Sequence, residues 1–142
     1  MLGTGSRIAR PCNEPIGTHE PIFERDAVVF SGTTTRTYAH RSDGSGKTVV
    51  VNFCGDCGTT LYLSFERFPN FLGMCAGTFD DPNWFERGPD TCRHIFTRSA
   101  QRGVVLPAGV PTFLEHAIRV DGTFDEPTLL PEPRMVLGRA KD

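Results

Sequence analysis

The sequence predicts a mainly β fold with short helical turns and long irregular loops. Three observations carry that expectation. Runs rich in β-branched and aromatic residues recur along the chain, and such side chains fit a pleated surface better than a helix. Fifteen glycines and eleven prolines in 142 residues divide the chain into short elements, and continuous helical periodicity is scarce. Residues 49–65, V-V-V-N-F-C-G-D-C-G-T-T-L-Y-L-S-F, set two apolar runs about a tight turn, which reads as a hairpin with Cys54 and Cys57 at its tip.

In chain order, residues 1–21 are irregular, punctuated by Gly3, Gly5, Pro11, Pro15 and Gly17. Residues 22–30 predict a strand in which E-R-D-A makes a turn or a single helical turn before Val28, Val29 and Phe30. The β-branched run 33–39 predicts another strand, and R-S-D-G-S-G-K at 41–47 a hairpin loop. Its G-S-G-K-T tail resembles a phosphate loop only superficially: the first glycine is missing at the required spacing, and a strand follows where a helix is needed. After the cysteine hairpin and a loop at 68–70, residues 71–76 predict a short buried strand with Cys75 in the core. Residues 77–82 turn outward, and Asp80 is placed to cap the segment holding Trp84 and Phe85, whose aromatic rings read as core in preference to groove lining.

Residues 92–97 predict a further strand, and 104–106 a brief pairing. Pro107, Gly109 and Pro111 impose irregular backbone, and 113–118 fits one or two helical turns. Pro127, Pro131 and Pro133 leave little room for regular structure after about Thr128. The expected organisation is a single domain over 1–128 and a Pro-rich C-terminal tail over 129–142, with no internal repeat.

Composition excludes several function classes. Hydrophobic residues at 38% and charged residues at 23% describe an ordinary globular chain, long enough for one core. A net charge of -2 leaves no basic footprint for nucleic acid. No apolar run reaches the length of a membrane span, and the first ten residues lack the apolar core of a secretory signal, so a cytoplasmic location is expected. Five cysteines is an odd number, and only Cys54 and Cys57 are close together. That pattern argues for reduced thiols or metal ligands over a disulfide framework.

Three readings of C-G-D-C-G compete. A redox motif places its first cysteine at a helix N-terminus, which lowers the thiol pKa, but here the alternating T-T-L-Y-L-S-F follows. A zinc knuckle explains more residues: both sulfurs face one ion, and Gly55 and Gly58 after the cysteines permit the backbone angles required. Buried, chemically inert thiols stand between these two readings. Zinc takes four ligands, and Cys12, Cys75, Cys92, His19, His40, His94 and His116 are scattered singly, without half-site spacing. Cys75 and Cys92 read as core, and His40 and His94 as strand residues.

Taken together, F-C-G-D-C-G-T-T-L-Y at 53–62, A-G-T-F-D-D-P at 76–82 and H-I-F-T-R-S-A-Q at 94–101 resemble the glutathione-dependent formaldehyde-activating enzymes and their centromere-protein-V-like relatives. R-D-A-V-V-F-S-G and V-L-P-A-G-V-P-T-F extend the resemblance over most of residues 3–116. It implies an antiparallel β-tent and carbon-sulfur lyase chemistry on thiol-aldehyde adducts, with glutathione as the thiol. It also implies that Cys54 and Cys57 are half of a structural zinc site completed by an N-terminal Cys-x-Cys, a further cysteine cluster holding a catalytic zinc.

Neither N-terminal element is present, so the segment 1–21 reads either as the start of a truncated chain or as a member that has lost both. The first is favoured. A chain complete as given is expected to bind zinc weakly, because two thiolates do not close a site, and to show weak or absent lyase activity. Cys12 could restore one ligand, and a partner chain in a homo-oligomer could supply two. The alternative function is a non-catalytic β-tent binding or scaffold module, since fold does not fix function.

Overall fold

The computed structural model describes residues 19–32, 34–81 and 83–137. The chain divides into two compact units, which among these residues occupy 19–81 and 83–137. Cys12 and most of the irregular N-terminal segment lie outside the described residues, as do the last residues of the tail.

The first unit is one antiparallel sheet. Its strands are β1 (Ile22–Glu24), β2 (Thr35–Arg41), β3 (Thr48–Cys54), β4 (Thr60–Phe65) and β5 (Phe71–Met74), in spatial order β1-β5-β4-β3-β2. The mainly β, antiparallel class is therefore established, and among the described residues helical structure is limited to 3-10 turns at Arg25–Ala27, Ala76–Thr78 and, in the second unit, Thr97–Ser99. E-R-D-A makes the single helical turn expected of it, but Val28, Val29 and Phe30 do not resume a strand. Phe30 instead lays its ring against Tyr62 of β4 at 4.8 Å between centroids.

Alternation along β3 and β4 explains why this hairpin forms the middle of the sheet. Val51 pairs with Leu63, Leu63 with Gly73, and both apolar side chains are almost fully buried. The opposite face holds Leu72, which has no exposed surface at all, and Asn52, whose amide donates to Val50 O at 3.1 Å. Edge strand β2 is exposed along most of its length and carries Arg36 and Arg41, charges of the kind that discourage strand addition. At the loop between β2 and β3, Glu66 binds Lys47 Nζ at 2.9 Å and the Thr48 amide at 2.8 Å, which ties the start of β3 to the end of β4.

The second unit pairs β6 (Val105–Leu106) with β7 (Arg134–Met135) around a small core of Val110, Phe113, Ala117 and Leu130. Some regular structure forms beyond Thr128, where little was expected. Leu130 is buried, its carbonyl accepts from Gly109 N at 2.9 Å, and β7 satisfies the backbone of β6. The strand expected over 92–97 reduces to one bridge between His94 and Thr112, because Phe96 adopts the left-handed conformation (φ 57°) and ends the extended run. No helix forms over 113–118. Phe113 N bonds His94 O at 2.7 Å and Ala117 O accepts from Asp125 N at 2.8 Å, so cross-chain pairing displaces local helix formation. Among the described residues no helix is long and apolar enough to cross a membrane.

Candidate metal centre and its surroundings

The register of β3 on β4 slips between Asn52 and Phe53, so that Asn52 faces Tyr62 while Phe53 faces Thr60. Such a bulge bends the hairpin and increases its twist just before the turn. The turn is closed by two backbone hydrogen bonds, from Cys54 N to Thr59 O at 2.8 Å and from Gly58 N to Cys54 O at 2.9 Å. Gly58 has φ +75°, the conformation expected of a glycine after the second cysteine.

Gly55 meets a different requirement. Its φ is not positive, but a Cβ there would fall 2.9 Å from Thr34 O, and Gly55 N donates to that same carbonyl at 3.2 Å. The glycine after the first cysteine thus lets the turn approach β2, a steric reason in place of the conformational one anticipated.

This turn brings the two thiols together. Cys54 is half-buried and Cys57 exposed. Cys57 Sγ lies 3.2 Å from Thr59 Oγ1. The Thr59 hydroxyl, then the Thr59 amide and the Cys54 thiol, hold the Cys57 thiol below its usual range. Hydrogen bonds that favour a thiolate also prepare it as a nucleophile or a metal ligand. Thr59 is a contributor that motif reasoning missed, because nothing in its position two residues past a cysteine distinguishes it from any strand threonine.

The remaining candidates are not gathered around this pair. Among the described residues no three His, Cys, Asp or Glu side chains form a group able to hold a metal ion. Cys75 is buried, as expected of a core residue, whereas Cys92 is half-buried beside the Thr91 hydroxyl. His40 lies on β2 with its Nε2 buried and without a hydrogen-bond partner. His94 is partly buried, which lowers its pKa. His116 Nδ1 lies 3.0 Å from Ile118 N and 3.1 Å from Ile118 O, so its ring is engaged by the local backbone. Cys54 and Cys57 are thus the two thiols that the turn offers, and two donors do not by themselves complete a closed zinc site.

Trp84 and Phe85 form an edge-to-face pair at 5.4 Å, with Arg87 over the Phe85 ring at 5.1 Å. Trp84 is 52% exposed, so the core role expected for it is corrected, and no helix follows Asp80 for that residue to cap. A second unexpected group is Glu20, whose Oε1 is buried without a hydrogen-bond partner among the described residues.

Comparison with known families gives one match. The family model described as glutathione-dependent formaldehyde-activating enzyme covers residues 12–99, more than half of the chain and the whole of the five-stranded sheet. No curated protein and no solved structure matches the chain.

Proposed function

The chain belongs to the glutathione-dependent formaldehyde-activating family, and from that membership we propose that it makes and breaks carbon-sulfur bonds in thiol-aldehyde adducts. The small-molecule partner is a thiol of the glutathione class. The observation that carries this reading is the family match over 12–99, which includes a turn whose paired thiols suit that fold's metal chemistry. Cys54 and Cys57 are proposed as half of a structural zinc site. Zinc bound there would cross-link the β3–β4 turn and add its binding free energy to folding. A reducing, cytoplasmic setting is proposed with it, since free thiols are maintained there.

The test combines elemental analysis with exchange of isotope-labelled formaldehyde on glutathione, followed by NMR with and without chelator. The lyase reading expects exchange above the buffer rate, and weak for the 142 residues alone, since two thiolates do not close a zinc site. About one zinc per chain, lost in Cys54→Ser, supports the structural site, and a value near one-half points to ligands shared between two chains. A zinc-binding chain that leaves exchange at the buffer rate defeats the lyase reading.

Exposed Trp84, stacked edge-to-face on half-buried Phe85, supports a second reading, a non-catalytic binding module. Exposed aromatic groups of this kind are enriched at interaction surfaces. Under that reading Trp84→Ala weakens capture of a partner while leaving stability unchanged; a loss of stability alone would favour a packing role.

A further inference from the structure

The antiparallel register of β1 on β5 continues past the strand ends. Met74 N donates to Pro21 O and Ala76 N to His19 O, both at 3.0 Å. That spacing sets Glu20 across from Cys75 as a non-hydrogen-bonded pair, whose side chains share one face of the sheet. On the same side, the Glu20 side chain covers Gly73. A Cβ at residue 73 would fall 1.7 Å from Glu20 Oε1 and 2.7 Å from its Cγ. Glycine is therefore what leaves the carboxyl its place.

Nothing in the packing accounts for a carboxyl there. Gly73 is paired with Leu63, which is buried, and an apolar side chain at residue 20 would fill the same volume at no polar cost. Oε1 is instead buried without a partner, an arrangement that costs the fold free energy. The residue as a whole is half-buried, with Oε1 its buried part. Burial alone raises its pKa from 4.5 to about 7, with no neighbouring charge contributing. Cys75, one residue past β5, is the titratable group set opposite. Leu61 and Leu63 follow on β4, and Glu24 lies four residues along its own segment. Costly, unpartnered and poised near neutrality is the combination found in acid-base groups.

We propose that Glu20 is the proton-transfer group of the carbon-sulfur chemistry proposed above, acting as base toward the thiol and as acid toward the aldehyde oxygen. The inference rests on that reading of function. In the condensing direction the Glu20 carboxylate accepts the thiol proton, and the sulfur electron pair forms the S–C bond. The C=O π pair moves onto oxygen, which takes the proton back from the Glu20 carboxylic acid. Cleavage is the reverse: the adduct hydroxyl gives its proton to the carboxylate, C=O re-forms, the C–S pair returns to sulfur, and sulfur is reprotonated. No electrons are gained or lost overall, and the carboxyl ends as it began.

The experiment measures catalysed formaldehyde exchange across pH for the full chain, Glu20→Gln and Glu20→Asp, with urea denaturation at pH 6 as the check on folding. The native chain is expected to show a limb near pH 7 in the condensing direction. Glu20→Gln should lose about 100-fold or more in kcat, with a smaller change in KM, and should lose the limb. Glu20→Asp, which retains a carboxyl, should keep the limb at reduced rate. A Glu20→Gln chain within about twofold of the native rate and with the same pH profile overturns the role of Glu20 and leaves the lyase reading standing. A native chain that does not accelerate exchange overturns both.

Discussion

Cys57 Sγ and Thr59 Oγ1 stand 3.2 Å apart, the sulfur exposed and the threonine buried. The hydroxyl is held in place by packing, so its hydrogen bond is available to the sulfur before any ion arrives. Metal binding requires the thiolate, and a group that favours the thiolate favours the metal. Thr59→Val preserves shape and removes the hydroxyl. It is expected to weaken zinc binding by about tenfold, the lower range for loss of a partner that orients a ligand. Competition against a chromophoric chelator at fixed pH measures this, and equal affinities would remove Thr59 from the site.

The two knuckle glycines should respond differently to alanine. Gly58 has φ +75° with open space around it, so Gly58→Ala pays for a left-handed backbone, about 1 kcal/mol. Gly55→Ala drives a Cβ against the Thr34 carbonyl at 2.9 Å, backbone that cannot rotate away. Overpacking of that kind costs about 1–3 kcal/mol and should separate β2 from the turn. Urea midpoints of the two variants give the order, and Gly55→Ala should be the less stable.

The central sheet was legible because its signals are local. Alternating Val49, Val51, Leu61 and Leu63 about a glycine-bearing turn specify both the hairpin and the face it buries. The second unit was not, because its pairings join segments far apart and leave only short bridges, such as His94 with Thr112. A near-repeat shows how far context decides: G-T-F-D-D-P at 77–82 and G-T-F-D-E-P at 122–127 differ at one position. In the first, Ala76–Thr78 is a 3-10 turn and Thr78 Oγ1 bonds Cys75 O at 2.8 Å. In the second, Asp121 precedes the glycine and captures the Thr123 amide and hydroxyl, Gly122 flips to φ +88°, and Phe124 bridges back to Ile118. The preceding residue selects the turn, since of Ala76 and Asp121 only the aspartate has a side chain that can hydrogen-bond the backbone two residues on. Cys54 and Cys57 were likewise legible, whereas Glu20 was not: what distinguishes it is the absence of a side chain at Gly73, over fifty residues away.

Glu66 bears on acid stability. The Thr48 amide, and then the Lys47 ammonium, hold its carboxyl down at about 2, well below the usual 4.5. A folded-state pKa below the unfolded one contributes stability above about pH 4.5, and that contribution is lost as pH falls toward 2. Both partners are about half exposed, so the effect is modest and screened by salt. Glu66→Gln should flatten this part of the urea-midpoint dependence between pH 5 and pH 3. An unchanged slope would mean that other carboxylates carry the acid transition.

Glu20 has the opposite sign, and Gly73 makes it testable from two directions. Its folded-state pKa of about 7 lies above the unfolded 4.5. Between those values the native state holds a proton that the unfolded chain has released, so stability falls as pH rises through the interval and levels off above it. The full span corresponds to about 3 kcal/mol. Glu20→Gln removes the ionisation and should flatten the urea midpoint from pH 5 to pH 8, making the variant the more stable chain at pH 8. Gly73→Ala should do the same by another route, since a Cβ 1.7 Å from Oε1 expels the flexible carboxyl toward water, where its pKa returns to an ordinary value. A native chain whose stability does not fall between pH 5 and pH 8 would show that the carboxyl is solvated or partnered in solution. A fall that persists in both variants would assign the titration to another group.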